Sequence, residues 1–333
     1  MMDFFNDHKK LYSASLLFFL VLTLIICILP ALDNQRIYQP LSTSKAMTET
    51  ETRGKMLFIK EGCVACHTQQ VRNVDMDQVF GSRPSIASDY ARNKRLNLFQ
   101  NTATLMGTER TGPDLTNIGQ RQSSLDWHYT HLYNPRAVVP QSIMPAYPWL
   151  FIEKDALDPN DVEAKIPTEF LKSKTKKIVI SQDAKDLVAY LLFLKQPDLP
   201  KSIAPKEFLY KQKERKSETG SKSNLPDGEA LFITHCATCH QASGEGVLGA
   251  FPPLKGDQVV LGNNIDLYVT IIMNGYNGLA PAYAEMPAVG TTANLKAEEV
   301  AAIINHERKS WGNNASEVTV EEVQNIMDKI EKK

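Results

Sequence analysis

The sequence predicts a mainly α-helical protein, an N-terminal transmembrane helix followed by two small helical domains built on one plan. Three observations carry this. Leu11 to Leu32 is an uncharged, mostly apolar run, and about 20 such residues span a bilayer as a helix. The segment Cys63-Val64-Ala65-Cys66-His67 returns as Cys236-Ala237-Thr238-Cys239-His240. Around each copy the same order of helix signals repeats, in a chain of 333 residues, which is long enough for about two domains with a core each.

The elements follow in chain order. Residues 1–10 form a short N-terminus and 11–32 the anchor. Lys9 and Lys10 precede the apolar run and Arg36 alone follows it, which favours a cytoplasmic N-terminus with everything after the anchor outside. A cleaved signal peptide has an apolar region of roughly 7–15 residues and a small-x-small cleavage site, so the anchor is read as retained. Leu24-Ile25-Ile26-Cys27 resembles a lipoprotein cleavage site only superficially, because Ile26 stands where a small residue is expected. Asp33 to Thr50 is polar, contains Pro40, and reads as a tether.

A first domain over 33–197 starts its helical signal near Glu51. Gly54 and Phe58 lie nine and five residues before Cys63, and Gly228 and Phe232 lie eight and four before Cys236. Positions four apart share a helix face, so each Gly would let another helix approach beside its Phe. The second helices are Leu187, Tyr190, Leu191 and Leu194 in the first half, and a shorter stripe starting with Val300, Ile303 and Ile304 in the second. A long excursion, roughly Val74 to Met106, has no counterpart in the second half; its Arg92, Lys94 and Arg95 are read as facing water or a partner. Residues 198–226 are lysine-rich with few apolar side chains and read as a linker. The second domain covers 227–333 and closes on an amphipathic helix with Thr319 and Glu322 in capping-box spacing, expected to pack on its own domain.

The repeated C-x-x-C-H is the pattern of covalent haem attachment, in which two thiols bond the haem vinyl groups and the histidine binds iron. Cys63, Cys66, Cys236 and Cys239 are therefore the attachment residues, and His67 and His240 the proximal ligands, for two haem c groups. Structural zinc needs four ligands at its own spacing, and the two pairs here are far apart. Of the five cysteines only Cys27 is left over, in the apolar run, so no structural disulfide is expected. Among ten methionines, Met144 and Met286 are preferred as distal ligands because each precedes a proline that would stiffen its loop. Met76, Met106 and Met273 are the rivals; Met273, in Ile271-Ile272-Met273, reads as a buried helix position. His/Met iron is six-coordinate, with a raised potential and no open site, so it transfers electrons and has no catalytic residue of its own. The order helix, haem motif, methionine loop, helix makes each half a class I cytochrome c domain.

In Gly112-Pro113-Asp114-Leu115 and Phe251-Pro252-Pro253-Leu254, Pro113 and Pro253 are the candidates for the carbonyl that accepts from the proximal histidine and fixes its ring; either proline could instead only shape a turn. His128 and His131 could share a helix face beside Trp127, but no Cys or carboxylate nearby completes a metal site, so they are read as surface or interface residues, and His235 as exposed. The formal net charge of −1 points to no nucleic acid and no strongly charged partner. Covalent haem c belongs to the outer side of an energy-transducing membrane, which places both domains on the periplasmic side of a bacterial inner membrane.

Cys63-Val-Ala-Cys-His-Thr-Gln-Gln-Val-Arg72, Arg110-Thr-Gly-Pro-Asp-Leu115, Trp127-His128, Asn134-Pro-Arg136 and Ser142-Ile-Met-Pro-Ala-Tyr-Pro-Trp149 together resemble subunit II, the membrane-anchored mono-haem subunit of cbb3-type cytochrome c oxidases. The resemblance runs from the anchor to about Leu194. It implies docking on a large haem–copper catalytic subunit in the membrane, and it makes Arg72, Trp127, His128, Arg136, Tyr147 and Trp149 candidates for haem-propionate or partner contacts. The second half, including Met286-Pro287 and Trp311-Gly312-Asn313, resembles generic class I cytochrome c and is an addition to that family's usual subunit.

The expected function is a dihaem electron-transfer subunit of a terminal oxidase. Electrons from a soluble or membrane cytochrome c-type donor would enter at the C-terminal haem, pass to the N-terminal haem and then to the catalytic subunit for oxygen reduction. A nitric oxide reductase subunit, a free-standing membrane-tethered carrier and a peroxidase-like dihaem enzyme are the alternatives. One spanning helix supplies no histidine cage for a haem–copper centre, so oxygen would be reduced elsewhere in the complex.

Overall fold

A computed structural model describes residues 2–37, 39–91, 103–201, 208, 225–276 and 283–331. The fold is mainly helical with one long apolar helix near the N-terminus. That helix runs His8–Asn34, and none of its most apolar window is buried against the protein; at 1.5 Å per residue its 27 residues extend about 40 Å, more than a bilayer core needs. Its middle, Thr23–Ile28, is wound as π-helix, and Asp7 caps its start by accepting from the Lys9 and Lys10 amides. Helix continues to Ile37, so Asp33 to Arg36 belong to the helix and not to the expected tether.

The chain divides into two compact units. One comprises residues 1–46, 85–104 and 197–205; the other comprises 47–84, 105–196 and 206–333 and contains both C-x-x-C-H segments. In the first, Thr43 Oγ1 donates to the Asp198 carbonyl, and Arg92, Lys94 and Arg95 lie outside the described residues, as does most of the 198–226 segment.

In the second unit, the helix Glu49–Lys60 opens with a capping box in which Thr48 and Glu51 each bond the other's amide, the arrangement that satisfies two free N–H groups at a helix start. It packs on Gln182–Phe193. Gly54 makes this possible: a Cβ there would overlap the Asp186 carbonyl oxygen. Phe58 then meets Tyr190 edge-on, ring centroids 5.6 Å apart, and Leu187, Tyr190, Leu191 and Leu194 are all buried in the core that holds Cys63. The same joint recurs between Gly228–His235 and Ala297–Lys309, where a Cβ on Gly228 would overlap the Ala302 carbonyl. Val300, Ile303 and Ile304 are fully buried there, and the final helix Val320–Glu331 packs through Val323, Ile326 and Met327 on the same core. Between the first pair of helices the chain also forms an antiparallel hairpin, Phe151–Lys154 with Lys177–Ile180, in the register Phe151 to Ile180.

The excursion after His67 is ordered where described. A 3-10 turn over Asp75–Phe80 buries the Asp77 carboxylate, which accepts from the Arg72 amide at 2.7 Å and pairs with the Arg72 and Arg110 guanidiniums. Those pairings hold its pKa down against burial, which pushes it up.

Candidate haem sites and the face between them

Each C-x-x-C-H closes into one tight turn. In the first, Gly62 at φ 76° leads into a 3-10 turn over Cys63–Ala65, and His67 N donates to Cys63 O at 3.0 Å. In the second, Ala237–His240 is a single helical turn with His240 N on Cys236 O at 3.1 Å. The second turn brings Cys236, Cys239 and His240 to the wall of one cavity. None of the five cysteines is in a disulfide. Burial pushes the Cys63 thiol up to about 11 and Cys239 up to about 12, and burial lowers the pKa of His67 and His240, which favours the neutral ring a metal requires.

The ring nitrogens are fixed from behind. His67 Nδ1 lies 2.8 Å from the Pro113 carbonyl oxygen and His240 Nδ1 lies 2.9 Å from that of Pro252. The second carbonyl is therefore one residue earlier than the expected Pro253. Counting back from the leucine that ends each motif aligns Pro113 with Pro252 and Asp114 with Pro253. Gly112 stands against the His67 ring so closely that a Cβ would overlap it. Asp114 is fully buried and ties down the loop behind His67, accepting from Thr68 Oγ1 at 2.6 Å, Gln70 N at 2.7 Å and Thr116 N at 2.8 Å.

The methionine loops are pinned as well. Met144 packs against the core that holds Cys63, with Arg136 Nη1 donating to its carbonyl at 3.0 Å. Met286 sits in an isolated antiparallel bridge with Tyr276, the two backbone bonds being 2.8 and 2.9 Å. Gly275 at φ 79° passes so close that a Cβ would overlap the Met286 carbonyl, so the position requires glycine on both conformational and steric grounds. A largely apolar cavity has Cys236, Cys239 and His240 together with Met286 in its walls, along with Phe251, Val260, Tyr268 and Ile272. Among the rivals, Met273 is a buried helix residue as read, while Met76 and Met106 are exposed.

These residues fit haem c. Two cysteines, an imidazole oriented from behind and a methionine lining one cavity are the donor types that covalently attached haem requires. In addition, Arg121 Nε is buried without a hydrogen-bond partner beside that cavity, a donor suited to a propionate carboxylate.

Other candidates fall elsewhere. Arg72 pairs with Asp77, and Arg136 donates from Nη1 to the Met144 carbonyl. Tyr147 is buried near Cys63 and Cys66, and burial with those neighbours raises its pKa to about 12. The Trp149 ring is tilted 60° to that of Tyr147 with centroids 5.1 Å apart, and it donates to Glu61 Oε2 at 3.0 Å, with 62% of its surface exposed. His128 is not a surface residue: it is 2% exposed, its Nε2 is 2.9 Å from the Gln122 carbonyl, and burial pushes its pKa down to about 4. His235 lines the cavity and is half-buried, against the expectation of exposure. Sequence reasoning missed Arg121, Asp114 and the buried pair Tyr268 and Glu307, whose hydrogen bond lies beside the second cavity. The Leu115-to-Arg121 segment offered only a short helix over Ile118–Arg121 as signal.

The helix Leu125–Tyr133 separates the two sites. Tyr129, Leu132 and Tyr133 enter the core with Cys63, whereas Trp127 joins Val138, Ala250, Phe251 and Ala284 in a cluster that also touches Cys239. The Trp127 indole Nε1 donates to the carbonyl of Thr238, inside the second C-x-x-C, at 3.1 Å. The second cytochrome segment is therefore seated on the first within this unit and does not hang free of it.

The family profile described as cytochrome C oxidase, mono-heme subunit/FixO matches residues 4–196, more than half of the chain. The chain belongs to that family. FixO proteins are the membrane-anchored electron-transfer cytochrome subunits of cbb3 oxidases and associate with that complex. A cytochrome c family profile matches residues 226–311, so this FixO chain carries an additional cytochrome c domain. Among curated proteins, it is 35% identical over 115 residues to an alcohol dehydrogenase (quinone) cytochrome c subunit from Gluconacetobacter polyoxogenes, covering 33% of this chain and 24% of that one. The corresponding subunit from Gluconobacter oxydans is 33% identical over 92 residues, 26% of this chain and 19% of that one. Cytochrome c-552 of Thermus thermophilus is 31% identical over 100 residues, 26% of this chain and 69% of the relative. The match thus spans about a quarter of the length of the dehydrogenase subunits.

Proposed function

We propose that this protein is a dihaem electron-transfer subunit of a cbb3-type oxidase, receiving electrons at its C-terminal cytochrome domain and delivering them through its N-terminal domain to a haem–copper catalytic subunit in the membrane. The observation that carries the reading is the succession, in one chain, of an oxidase-subunit segment and a cytochrome c segment. Cys63, Cys66, Cys236 and Cys239 would hold two haem c groups, with His67 and Met144 on one iron and His240 and Met286 on the other. Haem held in this way would supply one-electron redox chemistry.

The chain's own residues do the positioning. Pro113 and Pro252 fix the imidazole rings; Arg136 and the Tyr276 bridge present the two thioethers; Arg121 offers a donor to a carboxylate. The apolar helix His8–Asn34 anchors the chain in the bacterial inner membrane, with Lys9 and Lys10 on the cytoplasmic side and the cytochrome domains in the periplasm. A donor of cytochrome c type fits the C-terminal domain, which matches the cytochrome c family over residues 226–311, and the chain's likeness to cytochrome c-552 and to dehydrogenase cytochrome c subunits supports an electron-carrying role. Rapid-mixing spectra of the purified complex test the order: the C-terminal haem, identified in a Met286→His variant by its altered spectrum, is expected to be reduced first, and reduction of the N-terminal haem first would reverse the scheme.

A further inference from the structure

We propose that Trp127 and His131 are the internal bridge of this protein: the face they form seats the second C-x-x-C-H turn on the first cytochrome domain and carries the electron between the two haem sites. This rests on the dihaem reading above. The two residues are one helical turn apart on Leu125–Tyr133, so their side chains lie on one face. Their rings are stacked, centroids 4.5 Å apart and planes 10° from parallel, the offset geometry in which aromatic rings attract. At one end of the stack, the Trp127 indole bonds the Thr238 carbonyl at 3.1 Å and packs with Cys239. At the other, His131 stands on the helix beside Leu132 and Tyr133, which are buried in the core that holds Cys63. The opposite face of the same helix is built into the core that holds Cys63, so the stack is fixed to one domain and bonded to the other.

The surrounding contacts make the seat specific. Gln120 Nε2 donates to the Thr292 carbonyl at 3.2 Å and Gln241 Nε2 to the Val138 carbonyl at 3.3 Å. Polar bonds thus ring an apolar centre of Trp127, Val138, Ala250, Phe251 and Ala284, the anatomy of a specific interface. A single electron crosses it: the group at one site is oxidised by one electron and the group at the other reduced by one, with no bond broken and no proton transferred. Electron transfer weakens steeply with the gap to be crossed, and contiguous rings close that gap where loosely packed side chains would leave it open.

The test uses the full-length protein, purified in detergent with both haems attached, and a photoexcited flavin as reductant. Trp127→Leu and His131→Leu are each expected to slow electron equilibration between the haems by on the order of tenfold or more, while Trp127→Phe, which keeps a stacking ring, stays within about threefold. In His131→Leu the potential and spectrum of each haem should not change. Dipolar coupling between the oxidised haems, read by pulsed electron paramagnetic resonance, should give one narrow distance in the wild type and in His131→Leu. Unchanged rates in both leucine variants, or a broad distance distribution in the wild type, would overturn the proposal. If Trp127→Leu folds poorly, His131→Leu decides, because it leaves the Trp127 to Thr238 bond in place. Haem stoichiometry of the same sample reports separately on the dihaem reading: a single haem per chain would refute that reading, and two haems with unaltered rates would refute only the bridge.

Discussion

His67 Nδ1 lies 2.8 Å from the Pro113 carbonyl oxygen. A carbonyl can only accept, so this contact places the ring proton on Nδ1 and leaves Nε2 free to bind a metal. Gly112, immediately before that proline, gives the ring its place.

Gly112→Ala would therefore act on the first site alone. The new Cβ overlaps the His67 ring, and the ring must tilt or the loop move. The expected outcome is loss of the low-spin His/Met signature at one of two haems, with the second unchanged, as read by visible absorption and magnetic circular dichroism.

Met144→Ala and Met286→Ala should each remove one strong-field ligand. Each is expected to lower the reduction potential of its own haem and open that iron to carbon monoxide, since a methionine opposite histidine raises the potential and closes the site. Spectroelectrochemical titration checks this. Arg136→Ala, which frees the Met144 carbonyl from a charged donor worth about 1.5–3 kcal/mol, should weaken the first methionine bond and leave the second.

Gly54→Ala and Gly228→Ala test the paired helix joints. Each Cβ meets a backbone carbonyl on the facing helix, and a backbone cannot swing away as a side chain can. Overpacking of this kind costs about 1–3 kcal/mol, so the unfolding midpoint in denaturant should fall for both variants.

Glu307 gives a pH dependence of definite sign. Burial pushes its pKa up from 4.5 to about 7, aided by the neighbouring Asp257 and opposed by the hydrogen bond from Tyr268; Cys236 and Arg308 are the other charged or ionisable groups near the pair. A carboxyl whose folded-state pKa is raised contributes stability that is fully present below its unfolded value and lost as pH rises through the folded one. Between pH 4.5 and about 7, the wild type should therefore lose stability relative to Glu307→Gln, with the difference levelling off above that range. Denaturant midpoints of the two proteins across that window are the check; a constant difference would show that Glu307 stays ionised throughout.

The helix pairs were legible in the sequence because their signal is local. Gly54 with Phe58, Gly228 with Phe232, and the Leu187 and Val300 stripes state both the buried face and the point of close approach. The C-x-x-C-H residues were legible for the same reason. The hairpin was not, because Phe151–Lys154 and Lys177–Ile180 are only four residues each, too short for an alternating pattern to emerge. Pro252 was missed in favour of Pro253 because adjacent prolines carry the same local signal, and only the contact of its carbonyl with His240 Nδ1 sets them apart. The seating of Trp127 on Thr238 joins residues 111 positions apart, and no periodicity reports a contact of that range. His128 and His131 read only as surface or interface residues, because the segment that meets Trp127 on their helix lies more than a hundred positions away.

The most direct measurement is to purify the chain from its own membranes in mild detergent, identify what comes with it, and assay the preparation for oxygen uptake with reduced cytochrome c. The account predicts co-purification with a haem b-containing subunit, two haem c groups for each copy of this chain, and oxygen consumption that is lost when Cys63 or Cys66 is replaced. A chain that purifies alone without haem b, or a complex that consumes nitric oxide and not oxygen, would contradict it.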